Sequence, residues 1–125
     1  MKRFEGPEEF SADWDQLTAQ ARDEELLGGG YDKPLQQLLD ACRGTELRAF
    51  HPFTSMARLC FARSRWPFKD IQPAHMEFDP SGRYLVRDGG PYPGDPNPPV
   101  TLETNDPAAA VAEVIRLVRQ ARGVR

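Results

Sequence analysis

Residues 75–87, HMEFDPSGRYLVR, predict a β-hairpin, and the assignment of the other elements starts from it. Polar and apolar side chains alternate over residues 75–78, which is the pattern of a strand with one buried face. Asp79-Pro80-Ser81-Gly82 then brings together four residue types that favour a turn. Residues 83–87 form the returning strand. One face of such a hairpin is apolar, so other elements of the chain must pack against it.

Further strands are predicted on both sides of this hairpin. Residues 47–53 and 58–63 show the same period of two around a short turn at residues 54–56. Pro52 has no N–H to donate, which predicts that the first of these strands ends early or lies at the edge of the sheet. Residues 100–104 form a last short strand. The sequence therefore predicts an antiparallel meander of four to five strands.

Amphipathic helices are predicted before and after the strands. Ser11 is a candidate N-cap for the first helix, and Gly28-Gly29-Gly30 must end it. Asp32 is a candidate N-cap for the second helix, with Pro34 in its first turn. Asp106 is the N-cap of the third helix. Each helix has an apolar stripe at helical spacing: Trp14, Leu17 and Ala21; Leu35, Leu38, Leu39 and Cys42; Val111, Val114, Ile115 and Val118.

Two helices, a run of strands and one more helix predict an α+β fold. We expect the two N-terminal helices and the C-terminal helix to pack on one face of the sheet. The 125 residues are expected to form a single domain, because no repeat or boundary interrupts the pattern. Within it, residues 1–10 are an irregular lead-in. Residues 89–99 are a loop that holds five of the twelve prolines.

Composition and charge argue against several classes of function. The net charge of −3 argues against nucleic acid as a partner, because phosphate binding requires clustered Lys and Arg. No apolar run approaches the roughly 20 residues of a membrane span, and the first residues lack the apolar core of a signal peptide. We therefore expect a cytoplasmic protein. Cys42 and Cys60 lie among apolar residues, so both are expected to be buried free thiols.

Four polar residues are candidates for catalysis. On a strand, alternation places His75 and Glu77 on one face, where an imidazole and a carboxylate could share a proton. Arg58 and Arg63 could grip an anionic group of a substrate. The alternative is the solvated face of an antiparallel strand, which needs the same alternation. No metal site and no cofactor are expected, because the ligand spacing is not diagnostic and no glycine-rich phosphate loop is present.

Four other residues are candidates for binding. Arg65, Trp66 and Phe68 combine a cation with two aromatic side chains in a predicted loop, and Tyr92 lies in the proline-rich loop. Exposed aromatic residues accompanied by Arg are typical of binding hot spots. The alternative is that Trp66 and Phe68 fold back and close the end of the core.

A longer part of the chain resembles a known family. The resemblance is carried by LRAFHPFTS at residues 47–55, LCFAR at 59–63, Pro67-Phe68, GRYLV at 82–86, and Asp106-Pro107 with Ala110-Val111. The chain is similar there to a family of small actinobacterial proteins that are labelled natural-product biosynthesis proteins. The likeness covers roughly residues 35–120, and Pro-Phe-Thr-Ser is its most specific segment. It implies a setting in secondary metabolism and assigns no catalytic residue.

Three functions remain open from the sequence. The first is a non-catalytic accessory or partner-binding protein, whose partner is another protein. The second is a small cofactor-free enzyme of cyclase or isomerase type, acting on a small molecule in a pocket between sheet and helices. The third is an immunity or inhibitor protein that uses its acidic N-terminal arm. An enzyme requires His75, Glu77 and an arginine to converge in a pocket, whereas a binding protein requires a patch around Trp66 and Phe68.

Overall fold

A computed structural model of the chain describes residues 10–23, 25–65, 68–91 and 98–123. Along these residues, helices flank a run of strands. In chain order the elements are α1 (Ser11–Asp23), α2 (Asp32–Ala41), the 3-10 helix Glu46–Ala49, β1 (His51–Thr54), β2 (Arg58–Ala62), β3 (His75–Phe78), β4 (Tyr84–Arg87), β5 (Val100–Thr104) and α3 (Pro107–Ala121). Most of the predicted lead-in, residues 1–9, and the middle of the proline-rich loop, residues 92–97, lie outside the described residues.

The strands form one antiparallel sheet in the order β1-β2-β3-β4-β5, so each strand pairs with its neighbour in sequence. The hairpin predicted from residues 75–87 is present, with Phe78 opposite Tyr84. Its turn is closed by a hydrogen bond of 3.0 Å from the N–H of Gly82 to the carbonyl of Asp79. Pro52 lies in β1, at the edge of the sheet, as predicted. The α+β class and the meander are therefore confirmed.

The three helices pack on one face of the sheet, which we call the inner face. Trp14 of α1 stacks on Phe61 of β2 with ring centroids 6.1 Å apart. The hydroxyl of Tyr84 in β4 donates to the carbonyl of Pro34 in α2 over 3.0 Å. Val114 of α3 is fully buried in the same core. Burial of each large apolar side chain contributes about 1.5–3 kcal/mol, so this face supplies most of the stability of the fold.

The strand predicted at residues 47–53 is wrong in its first half. Residues Glu46–Ala49 form a 3-10 helix, and β1 begins only at His51. Leu47 and Phe50 are both buried. Residues three apart share a face in a 3-10 helix, whereas in a strand they would point to opposite faces. The indole N–H of Trp14 also donates to the carbonyl of Phe50 over 2.9 Å, which ties this segment to α1.

Asp32 is not the N-cap of α2. Tyr31 occupies the cap position and makes no side-chain capping bond. The carboxylate of Asp32 instead accepts from the backbone N–H groups of Leu27 and Gly28, at 2.9 and 2.8 Å. This carboxylate therefore stabilises the loop that precedes α2, by hydrogen bonds to its backbone. The cap predicted at Asp106 is confirmed.

Both cysteines are buried free thiols, as predicted. Burial raises the pKa of Cys42 to about 12 and that of Cys60 to about 12. A thiol with such a pKa stays protonated near neutral pH and is a poor nucleophile. Within the described part of the chain, no helix is both long enough and apolar enough to cross a bilayer.

Candidate functional site

Two long loops leave the sheet at the same end. β2 ends at Ala62 and β4 ends at Arg87. Because successive strands of the meander run antiparallel, both of these ends lie on one side of the sheet. Loops 63–74 and 88–99 therefore share this side, which we call the loop end.

The four residues predicted to bind a partner all belong to these two loops. Arg65, Trp66 and Phe68 lie in loop 63–74, and Tyr92 lies in loop 88–99. Trp66 and Tyr92 fall outside the described residues. The topology nevertheless brings both loops to the loop end, because their first and last residues are described.

Loop 63–74 packs on the face of the sheet that points away from the helices, which we call the outer face. The ring of Phe68 stacks on that of Phe53 in β1, with centroids 4.1 Å apart and planes inclined by 12°. Its centroid also lies 5.8 Å from that of His51. The N–H of Gln72 donates to the carbonyl of Phe61 over 2.8 Å, which fastens the end of the loop to β2. Phe68 is therefore half-buried.

An ion pair ties the same loop to α1. The guanidinium of Arg65 lies 2.9 Å from the carboxylate of Asp13 and 5.1 Å from the ring centroid of Phe10. The same carboxylate oxygen lies 3.0 Å from Nδ1 of His51. Asp13 and His51 are both mostly buried, so this carboxylate joins a helix, an edge strand and a loop.

Loop 88–99 is fastened by His75. Nδ1 of His75 lies 2.8 Å from the carbonyl oxygen of Gly89. A carbonyl only accepts hydrogen bonds, so Nδ1 carries the proton and Nε2 presents a lone pair. The side chain is 1% exposed, and Nε2 has no hydrogen-bond partner among the residues that the structure describes. Burial lowers the pKa of His75, and the carbonyl of Gly89 offsets part of this effect.

Arg87 fastens the other side of the same loop. Its Nη1 donates to the carbonyl of Pro98 over 2.7 Å, and its Nε donates to Oε1 of Glu77 over 2.7 Å. The N–H of Asp88 donates to the carbonyl of Pro99 over 2.8 Å. The base of the loop is thus closed by its own backbone and braced by a side chain whose orientation Glu77 fixes.

The outer face brings together three of the four catalytic candidates. His75 and Glu77 share it on β3, and Arg58 lies opposite Glu77 on β2. Arg63 lies beyond the end of β2, in loop 63–74. Arg63 lies 4.0 Å from Asp70 instead. The two arginines do not converge on one anion.

The surface beside these residues is shallow. A depression lined by Glu77, Asp79, Arg83 and Leu85 has a volume of about 130 Å³. Ligand pockets usually begin at roughly 300 Å³. His75 does not line this depression. Among the residues that the structure describes, no three His, Cys, Asp or Glu side chains are placed to hold a metal ion.

The opposite end of the sheet, which we call the turn end, carries short turns. Met56, between β1 and β2, is 80% exposed and adopts a φ of 57°, in the left-handed region. It lines an open apolar groove with Leu27, Tyr31 and Ala57. None of the predicted binding residues belongs to this end.

Two residues that organise the loop end are not among the predicted site residues. Arg87 lies directly opposite His75 in the hairpin, so the register of the hairpin is enough to predict that the two residues are neighbours. Asp13 meets His51 across 38 residues of sequence, and no local pattern signals such a contact.

Comparison with protein-family models matches residues 10–122 to one family, described as a family of unknown function (DUF6193). The match includes every described helix and strand. No curated protein and no solved structure matches the chain.

Proposed function

We propose that this chain, which belongs to the DUF6193 family, is a non-catalytic partner-binding protein whose contact surface is the loop end of the sheet. One observation carries the proposal: β2 and β4, which lead into the two long loops, end on the same side of the sheet. The four candidate binding residues belong to these two loops in sequence. Binding residues concentrate on loops that a rigid scaffold positions. A surface of two neighbouring loops lets a partner contact both at once, which favours a macromolecule over a small ligand.

The contacts of the outer-face polar residues support a structural role for them. His75 donates to Gly89, and Arg87 bridges Glu77 and Pro98. A general base must bring its accepting atom within hydrogen-bond reach of a substrate. The accepting atom of His75 is Nε2, which is buried. These groups therefore support the base of a loop.

The described residues of loop 63–74, which are 63–65 and 68–74, are held in place without a partner. Phe68 stacks on Phe53, and Arg65 is paired with Asp13. Preorganised contacts of this kind reduce the entropy lost on binding. The side chain of Arg65 is still 54% exposed, and Trp66 follows it in sequence. We therefore propose that the partner presents an acidic group beside an apolar pocket, which a cation and an indole together would fit.

The setting of this interaction follows from the sequence resemblance. Residues 35–120 resemble actinobacterial proteins that are labelled natural-product biosynthesis proteins. We propose that the partner is another protein of such a biosynthetic pathway and that the two meet in the cytoplasm. The resemblance supports this setting, and the geometry of the loop end supports the mode of contact.

Affinity capture with matched variants tests the proposal. Tagged wild-type protein and the variants Trp66→Ala, Tyr92→Ala and Met56→Ala are used to capture proteins from lysate of the native host. Met56→Ala is the control, because it truncates an exposed side chain at the turn end. A partner captured by the wild type and by Met56→Ala but lost with either loop variant supports the proposal. Loss with Met56→Ala, or unchanged capture by both loop variants, would contradict it.

One observation favours a second candidate, a small cofactor-free enzyme. Among the described residues, Nε2 of His75 is an acceptor without a donor, and Arg58 and Glu77 share its face of the sheet. A hydroxyl or amide of a small molecule would satisfy that atom if the outer face opened, because Nε2 is buried in this structure. Mass spectrometry of small molecules that co-purify with the wild type and with His75→Ala tests this candidate. A stoichiometric metabolite present only in the wild type would place the enzyme above the binding protein.

No described contact favours the third candidate, an immunity or inhibitor protein. That function needs an acidic surface from residues 5–25. In the described part of this range, Asp13 is mostly buried and paired with Arg65, while Asp15, Asp23 and Glu25 are exposed. Exposed carboxylates are common on any solvated helix face, so they do not single out this function.

A further inference from the structure

We propose that His75 is an acid-sensitive latch for residues 88–91, the described base of loop 88–99: when its imidazole takes up a proton, the ring leaves its buried position and frees the backbone at Gly89. Only the consequence rests on the proposed function, namely that partner binding weakens as the pH falls. The latch itself belongs to the loop end and is measured without a partner.

The neutral imidazole fits its position. Nδ1–H donates to the carbonyl of Gly89 over 2.8 Å, which fixes the tautomer. The side chain is 1% exposed, and among the described residues Nε2 faces no donor. A neutral ring leaves one acceptor unsatisfied there, at a cost well below that of an unpaired buried charge. The contact with Gly89 is thus stable as long as the ring carries one proton.

The protonated imidazole does not fit. Protonation turns Nε2 into a donor with no acceptor in the part of the chain that the structure describes, and burying an unpaired charge is expensive. Two cations face the ring, Arg58 from β2 and Arg87 from β4, and both oppose its protonation. Glu77 on the same strand favours protonation, but its Oε1 is bonded to Arg87 over 2.7 Å. The thiol of Cys60 on the same face of β2 stays neutral.

The direction of the pH effect follows from these contacts. In the latched state, burial and the two cations lower the pKa of His75. In the released state the ring is in water, where histidine has a pKa of about 6.5. The latch is therefore complete above pH of about 6.5. Each further pH unit downward, until the lowered pKa is reached, shifts the ratio of latched to released protein about tenfold.

Release at Gly89 affects the loop more than the sheet. Arg87 and the backbone bond from Asp88 to Pro99 remain as ties at the base of the loop. Deeper in the same hairpin, Met76 and Val86 stay paired and fully buried on the inner face. The change is thus confined to one end of β3 and β4, and the fold persists.

Nuclear magnetic resonance of the full chain across a pH series tests the latch. In the wild type, we expect the amide signals of Gly89 and Gly90 to shift together with the ring signals of His75 as the pH falls below about 6.5. The amide of Gly82, in the turn of the same hairpin, is an internal reference for an intact sheet. Its signal should not move over this range.

Two histidine variants separate the latch from general acid effects. His75→Asn keeps a neutral N–H donor near the position of Nδ1 but has no titratable ring, so the signals of Gly89 and Gly90 should no longer respond to pH. His51→Asn removes the other of the two histidines of the chain and should leave the response of the wild type intact. His75→Ala should show the released signals at every pH.

The proposal is overturned if His75→Asn keeps the response, or if the wild type shows none. Capture of the partner at neutral and acidic pH then tests the consequence. Partner binding that persists in acid while Gly89 and Gly90 respond would leave the latch standing and contradict the proposal that loop 88–99 contacts the partner. The two proposals therefore fail separately.

Discussion

Loops 63–74 and 88–99 leave the sheet on the same side but are held in opposite ways. In loop 63–74, side chains of the loop contact the rest of the protein: Phe68 stacks on Phe53, and Arg65 pairs with Asp13. In loop 88–99, side chains of the sheet bind backbone carbonyls of the loop, as His75 does at Gly89.

This difference decides how each loop responds to change. Stacking and a half-exposed ion pair tolerate small shifts, and each contributes about 1 kcal/mol or less. Loss of a buried donor that bonds a single carbonyl is costly, because it leaves an unsatisfied acceptor and lowers the stability by about 1–3 kcal/mol. We therefore expect loop 63–74 to be robust and loop 88–99 to be sensitive to mutation and pH.

Substitution of the two histidines should give the largest difference in stability between the two loops. His75→Ala empties a fully buried position and leaves the carbonyl of Gly89 without its donor, so we expect the free energy of unfolding to fall by about 3 kcal/mol. His51→Ala should cost about 1 kcal/mol, because that ring lies on the edge strand and its partner Asp13 stays paired with Arg65. Urea denaturation followed by circular dichroism measures both. Equal losses would mean that the two loops are held alike.

Substitution of Arg87 and Arg65 should give the next largest difference in stability between the two loops. Arg87→Met keeps the aliphatic part of the side chain and removes its bonds to Pro98 and Glu77, which should cost about 2 kcal/mol. Arg65→Met removes a half-exposed ion pair and should cost less than about 1 kcal/mol. Thermal unfolding of both variants at one pH gives the comparison. A loss at Arg65 that matches the loss at Arg87 would show that Asp13 is a buried anchor.

Acid should weaken the folded state through His75. Its pKa is lowered in the folded protein, so the stability that this group contributes is complete above pH of about 6.5 and is lost as the pH falls below it. The slope is at most about 1.4 kcal/mol per pH unit from this group. Urea midpoints of the wild type and of His75→Asn, measured across that range, isolate the contribution. Parallel pH profiles would mean that His75 does not titrate on unfolding.

The smallest effect is expected in loop 63–74. Phe68→Ala removes the stack on Phe53 and should lower the free energy of unfolding by about 1 kcal/mol. The loop should then open, and trypsin should cut faster after Arg65 and Lys69. Phe68→Tyr keeps the stack and serves as the control. Unchanged cleavage of Phe68→Ala would show that backbone bonds such as that of Gln72 hold the loop.

Local signals in the sequence were sufficient for most of the fold. The turn at Asp79-Pro80-Ser81-Gly82, the cap at Asp106 and the edge position of Pro52 each depend on neighbouring residues, and each is confirmed. The strand prediction was wrong for residues 47–50, because a period of two and a period of three cannot be told apart over four residues. The assignment of Asp32 as N-cap failed because its partners lie in the preceding loop.

The site was less predictable because its contacts join distant parts of the chain. Strand alternation correctly placed His75 and Glu77 on one face. It did not reveal that His75 is buried there, because alternation along a strand predicts the face that a side chain occupies and not what covers that face. The pairing of Asp13 with His51 spans 38 residues and leaves no trace in any short window.

The buried cysteines make the chain a convenient carrier for a single chemical probe. Both native thiols are buried and have pKa values of about 12, so they should not react with maleimide reagents. Met56→Cys would place one reactive thiol at an 80% exposed position, on the side of the sheet opposite the loops. A fluorophore or surface tether attached there would lie at the turn end, away from the loop end. The protein can thus be immobilised in a defined orientation without an added tag.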